Sequence, residues 1–309
     1  HIHLETASNI ILFLTHHSKD PWILEEILYS VMEILPEEEE ATLHGSSLEF
    51  LHGFIQEIPE IVMEERSADA RQRRLEDDKQ RDIYEDDTVS EEQESSDELS
   101  EFINKISKVF RATEVCGQIL RSRVGSLERK SLELVYEESL LVLLRFLNII
   151  LKSSEYAQEA SIQRIKDVVF TSPNLTDEEI TKRAKYFYLG LNYLIILAVL
   201  NKVSFSLGSS KGREIYIKVT ESKDTPAAKL IQEIIELQFE KRLDIKKVES
   251  LHKEFSKNPV CDRLLKQIIL RHCYMHDVGF KVRQQIAGKL NISTQVQRRI
   301  TGMSRQKQT

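Results

Sequence analysis

Apolar residues recur along the chain at the spacing of α-helices. Two segments show this most clearly, each with apolar residues at positions i, i+1, i+4 and i+5: Leu230, Ile231, Ile234 and Ile235, and Leu264, Leu265, Ile268 and Ile269. Strand-like alternation occurs only in REIYIKVT, residues 213–220, which also fits a helical turn and is predicted as helix. The pattern therefore predicts an all-α fold.

Capping residues mark the predicted starts of helices. Asp20, Thr225 and Asn258 each precede a proline, which is favourable at the first position of a helix because no N–H is needed there. Thr176 is followed by Asp-Glu-Glu, so that Thr176 and Glu179 can form a capping box. These are four independent helix starts.

Two predicted helices are apolar on nearly every face. They are ESLLVLLRFLNIIL, residues 138–151, and YFYLGLNYLIILAVL, residues 186–200. The second is shorter than the roughly 20 residues that span a bilayer and contains Asn192. We therefore predict no membrane span, and we expect both helices to lie side by side in the centre of a large helical body.

The chain has only ten glycines and six prolines, so its loops should be short and successive helices should pack as antiparallel hairpins. No clean repeat of fixed period is present. The predicted architecture is accordingly an irregular helical hairpin array of the HEAT type, followed by a larger helical bundle.

An acidic segment interrupts the helical pattern. Residues 76–101 carry thirteen acids and two bases, so the net charge of this segment is −11. Because the whole chain has a net charge of −7, the rest of the chain carries +4. Its low apolar content predicts a flexible insert, which serves either as a linker or as a cover for a basic site. We predict an N-terminal helical unit at 1–72, the acidic insert at 73–96 and a C-terminal helical domain at 97–309.

Catalytic motifs are hard to find. SLGSSKGRE, residues 206–214, lacks the spacing of a phosphate-binding loop and is predicted to join two helices. His272 and His276 have the i, i+4 spacing of zinc ligands, but His272 also continues the apolar line from Ile268, so a buried core histidine is the favoured interpretation over a metal site. We predict no cofactor and no enzymatic activity for these residues.

The C-terminal residues are basic, with no acid from Val278 onward. RQQIAGKLNISTQVQRRI resembles a helix-turn-helix, with a turn at Asn291 and with Ser293-Thr294 capping a second helix. A partner-docking or DNA-reading hairpin would use these basic residues: Lys281, Arg283, Lys289, Arg298 and Arg299.

Three long stretches together resemble one family. Residues 101–151, which begin EFINKISKVF, and residues 258–292, which begin NPVCDRLLKQ, are similar to the helical C-terminal region of prokaryotic STAND NTPases, the NACHT-like class of antiviral defence. Residues 9–62, which begin NIILFLTHHS, resemble the helical part that precedes it. The resemblance implies a sensor that recognises a trigger and controls oligomerisation of upstream domains.

Two functions remain open at this stage. The first is a non-enzymatic sensor or scaffold module that binds a protein ligand, with a phage-derived protein as one candidate; the second is a DNA-binding module that uses the basic C-terminus. Three cysteines without CxxC spacing fit a reducing cytoplasm. The chain starts without Met on what reads as a continuing helix, so we expect a piece of a longer protein.

Overall fold

The computed structural model describes Phe13 and residues 21–64, 98–169, 175–239 and 243–295. Those residues form an all-α bundle, as predicted. Its helices are α1 (Pro21–Met32), α2 (Glu49–Glu57), α3 (Glu98–Arg123), α4 (Arg129–Tyr156), α5 (Gln158–Val169), α6 (Asp177–Leu207), α7 (Arg213–Lys223), α8 (Pro226–Phe239), α9 (Ile245–Glu254), α10 (Pro259–Met275) and α11 (Phe280–Lys289). Short 3-10 turns lie at Gly45–Leu48 and Phe255–Lys257.

Three of the predicted caps are confirmed. Thr176 accepts a hydrogen bond from the Glu179 amide while the Glu179 carboxylate accepts one from the Thr176 amide, which completes the capping box of α6. The Asn258 side chain accepts from the Cys261 amide at 3.2 Å, and Thr225 Oγ1 accepts from the Ala228 amide at 3.2 Å. The cap predicted at Asp20 lies outside the described residues.

The centre of the bundle is α4. Every residue from 138 to 151 is buried or half-buried, and α4 contacts α1, α3, α6 and α7. The segment REIYIKVT is helical in α7, and the glycine-containing stretch at 206–214 includes the loop between α6 and α7, both as predicted. The apolar pattern of α4 is therefore explained by enclosure among other helices.

The HEAT-like order of hairpins is not confirmed. In a solenoid each helix pair contacts only its neighbours along the chain. Here α6 contacts α2, α3, α4, α5 and α8, which come from widely separated parts of the sequence. The helices close around a shared core.

Residues 21–64 contribute to the same hydrophobic core as the later helices. The Ala41 amide donates to the Leu144 carbonyl at 3.0 Å, and the Ala227 amide donates to the Thr42 carbonyl at 3.1 Å. The Asn258 side chain donates to the Leu43 carbonyl at 2.8 Å. The insert predicted at 73–96 lies outside the described residues, and the proposed domain boundary stays a prediction.

A short parallel strand pair corrects the predicted helix start at Ser293-Thr294. Strand β1 (Val62–Glu64) pairs with β2 (Ser293–Gln295), so Ser293 and Thr294 are extended. Asn291 has a φ of 52°, which supplies the predicted turn. After that turn Ile292 is buried and Ser293 Oγ donates to Glu60 at 3.1 Å, which fixes the segment in extended form.

Among the described helices, α6 alone is long and apolar enough to cross a membrane. Its most apolar window has a mean hydropathy of 1.5, and half of that window is buried. Its contacts with other helices account for the buried part. The rest of its apolar surface leads to the candidate site.

Candidate protein-interaction surface

Helix α6 is fixed by contacts near both ends. Gly117 on α3 packs so closely on the Ser206 carbonyl that a Cβ atom would clash with it. The Arg121 guanidinium donates to the same carbonyl at 2.5 Å, and Lys202 pairs with Glu114 of α3. These contacts hold the C-terminal half of α6 against α3.

The N-terminal half of α6 is held by aromatic side chains. The Phe54 ring of α2 packs on Gly190 and lies 5.9 Å from the Tyr186 ring, measured between centroids. Tyr193 donates a hydrogen bond of 2.8 Å to Gln267 of α10. The orientation of α6 about its own axis is therefore defined along its length.

One face of α6 nevertheless remains on the surface and is apolar. Phe187 is 47 % exposed, Leu191 is 42 % exposed and Leu194 is 55 % exposed, and Ala198 is exposed as well. Their spacing of i, i+4, i+7 and i+11 places them on one line of the helix. We call these four residues the α6 stripe.

The charges near the stripe lie at one end. Arg183 is exposed and lies on the same line, one turn before Phe187. Lys185 is also exposed but lies about 200° around the helix from Arg183 at 100° per residue. At the other end of the line Asn201 is half-buried and donates to the Leu197 carbonyl at 2.7 Å.

The two histidines predicted as weak metal candidates do come together. The ring centroids of His272 and His276 are 4.5 Å apart. The pKa of His272 is lowered to about 4, chiefly by burial and in part by His276, while a hydrogen bond with the Leu237 backbone acts in the opposite direction. Burial also raises the pKa of Cys273 to about 11, so its thiol stays protonated. Within the described residues no group of three His, Cys, Asp or Glu side chains is arranged to hold a metal ion.

The predicted basic hairpin is divided by the fold. Lys281 is exposed, Lys289 pairs with Glu249 at 2.9 Å, and Arg283 is buried with its Nε donating to the Val278 carbonyl at 2.8 Å. Arg298 and Arg299 lie outside the described residues. The described part of the hairpin therefore presents few basic groups together.

Buried charge occurs elsewhere, between α8 and α9. Lys247 Nζ lies 3.1 Å from Glu233 and 2.5 Å from Glu236. Burial raises the pKa of Glu233, and Lys247 acts in the opposite direction. This group of charges joins α8 to α9.

The α6 stripe was not predicted from the sequence. A helix that is apolar all round gives no indication of which side the rest of the chain will cover. The spacing of Phe187, Leu191, Leu194 and Ala198 is visible in the sequence, but the lines on the other sides of α6 are equally apolar. Only the packed structure distinguishes them.

No protein-family model, curated protein or solved structure matches the chain.

Proposed function

We propose that this chain is a non-enzymatic recognition module that binds a protein ligand through the α6 stripe. The observation that carries the proposal is the line of exposed apolar side chains on a helix whose other apolar side chains are buried or half-buried. Contiguous exposed apolar surface is costly in water and is typical of protein-binding sites. The helical core would act as the support that keeps the stripe in shape.

The resemblance to the helical region of STAND NTPases supports a sensor role for such a module. In a protein of that class, binding of a trigger would control oligomerisation of upstream domains. We accordingly propose a cytoplasmic module whose ligand is a protein, with a phage-derived protein as the first candidate to test. ATP turnover would belong to another part of such a protein.

The rival DNA-binding function gains no support from the described residues. Arg283, one of its candidate contact residues, is buried, and Ser293, predicted to cap its second helix, begins a strand. Phosphate contacts to duplex DNA need several exposed cations close together. Of the three candidates within the described residues, Lys281 is exposed, Lys289 pairs with Glu249 and Arg283 is buried.

A two-hybrid screen of the chain against a library of phage open reading frames tests the proposal. The double variant Leu191→Glu/Leu194→Glu places charge on the stripe, and Leu134→Glu is the matched control because Leu134 is 43 % exposed on α4. We expect partners that bind the parent and the control but not the double variant. Partners that bind all three equally, or none at all, would overturn the proposal, as would salt-dependent binding to duplex DNA as the main activity.

A further inference from the structure

Residues 36–44 lie between α1 and the 3-10 turn that precedes α2, and they form neither a helix nor a strand. We call these residues the strap. The Ala41 amide donates to the Leu144 carbonyl in the middle of α4 at 3.0 Å. The Thr42 carbonyl accepts from the Ala227 amide in the first turn of α8 at 3.1 Å. The strap is therefore tied to helices that come much later in the chain.

The strap also contacts a buried cysteine of α10. The Leu43 carbonyl accepts from Cys261 Sγ at 3.4 Å and from the Asn258 side chain at 2.8 Å. Burial raises the pKa of the Cys261 thiol to about 12. Because the thiolate is the nucleophile, such a buried thiol reacts slowly with alkylating reagents. The reactivity of Cys261 therefore reports whether the strap is in place.

Two leucines at the strap have left-handed backbone conformations. Leu35, directly before the strap, has a φ of 56°, and Leu43 has a φ of 59°. This conformation is unfavourable for a bulky L-residue because its Cβ atom crowds the following carbonyl oxygen. It persists where the surrounding structure imposes it. Opening of the strap would let both leucines return to ordinary conformations, which favours release.

The remaining contacts of the strap are largely electrostatic. Residues 37–40 are four consecutive glutamates, and the Glu40 carboxylate lies 3.2 Å from Lys223 Nζ of α7. Of the nine strap residues, Ala41 and Leu43 are buried, and the others are half-buried or exposed. Opening would therefore expose little apolar surface, which is characteristic of segments that open locally.

We propose that the strap is a conformational switch, which opens as a unit while the helical core stays folded and is held closed in part by the ion pair of Glu40 with Lys223. Opening frees the Leu144 carbonyl, the Ala227 amide and the Cys261 thiol together. This inference does not depend on the proposed function, because it concerns a different part of the molecule from the α6 stripe.

Alkylation of the folded chain with N-ethylmaleimide tests the proposal, with the labelled cysteines identified by peptide mass spectrometry. Cys116 on α3 is the control, since it is fully buried and burial raises its pKa to about 11. We expect initial labelling of Cys261 to be at least about tenfold faster than that of Cys116. Equal rates would mean that the strap opens only with global unfolding, and would overturn the proposal.

A pair of charge variants tests the role of Lys223. Its Nζ atom lies 3.2 Å from Glu40 of the strap and 3.8 Å from Glu137 of α4. Glu40→Gln should accelerate labelling of Cys261 about threefold, as expected for the loss of a partly exposed ion pair. Glu137→Gln removes a carboxylate near the same lysine and should leave the rate unchanged. Equal acceleration by the two variants, or none by either, would contradict the proposal.

Amide hydrogen exchange of the parent chain gives a second test that needs no variant. The Ala41 and Ala227 amides lie on opposite sides of the contact between the strap and the core. Their protection factors should be similar, and at least about tenfold lower than those of residues 140–148 in α4. Protection of both amides equal to that of α4 would overturn the proposal, as would protection factors that differ widely between the two amides.

Discussion

Helices α4 and α6 lie side by side and have similar apolar sequences, yet they differ in what covers them. No residue of α4 between 138 and 151 is exposed, whereas α6 presents Phe187, Leu191, Leu194 and Ala198 at the surface. The apolar residues of α4 are thus explained by folding, while those of the stripe contribute little to the core. The two helices are similarly hydrophobic in sequence, but their apolar residues have different roles.

The largest expected difference in stability is between the loss of a buried leucine and the loss of an exposed one. Leu144→Ala on α4 removes a fully buried side chain, and we expect the free energy of unfolding to fall by roughly 2 to 5 kcal/mol. Leu194→Ala on the stripe should change it by less than about 0.5 kcal/mol. Urea unfolding of the two variants measures both values, and similar losses would remove the distinction between the helices.

A second comparison concerns glycines and tests how α6 is held. Gly117→Ala places a methyl group against the Ser206 carbonyl at the end of α6, so we expect a loss of roughly 1 to 3 kcal/mol. Gly53→Ala on α2 meets no atom within 4 Å and should stabilise the protein by roughly 0.5 to 1 kcal/mol through helix propensity. If both changes stabilise, the close approach of α3 to α6 is incorrect.

The third prediction concerns His272, a buried polar side chain among the apolar residues of α10. Burial lowers the pKa of His272 to about 4, so the unfolded chain binds a proton at higher pH than the folded one. Neutral His272 therefore stabilises the fold above the pKa of the unfolded chain, and this contribution is lost as the pH falls. We expect the free energy of unfolding to decrease by roughly 2 kcal/mol between about pH 7 and pH 5.

Unfolding measured at both pH values checks this expectation. His272→Gln should reduce the slope of stability with pH, while His44→Gln, at an exposed position, should retain it. An unchanged slope in His272→Gln would show that the imidazole is not kept neutral by burial.

The smallest expected effect is that of metal removal. The described residues place His272 beside His276 without a third ligand, and structural zinc sites use four. We therefore expect treatment with EDTA to leave the thermal unfolding midpoint unchanged. Elemental analysis that finds one zinc per chain would instead assign a metal to the two histidines.

Local signals in the sequence predicted the helices well, because capping depends on neighbours in the chain. The box at Thr176 and the cap at Asn258 are formed by residues within three positions. The strand at Ser293–Gln295 was missed because its partner Val62–Glu64 is more than two hundred residues away in the sequence. The stripe was missed for the same reason, since exposure of a helix face is decided by distant segments.

The central claim is that the α6 stripe recognises a protein while the α4 core only supports it. Calorimetric titration of a partner recovered in the screen tests this most directly, with the parent chain, Leu191→Glu/Leu194→Glu and Leu134→Glu compared at one temperature. We predict at least a hundredfold loss of affinity in the double variant, as for interface hot spots of about 2.7 kcal/mol or more, and none in Leu134→Glu. Equal affinity in all three folded proteins would contradict the claim.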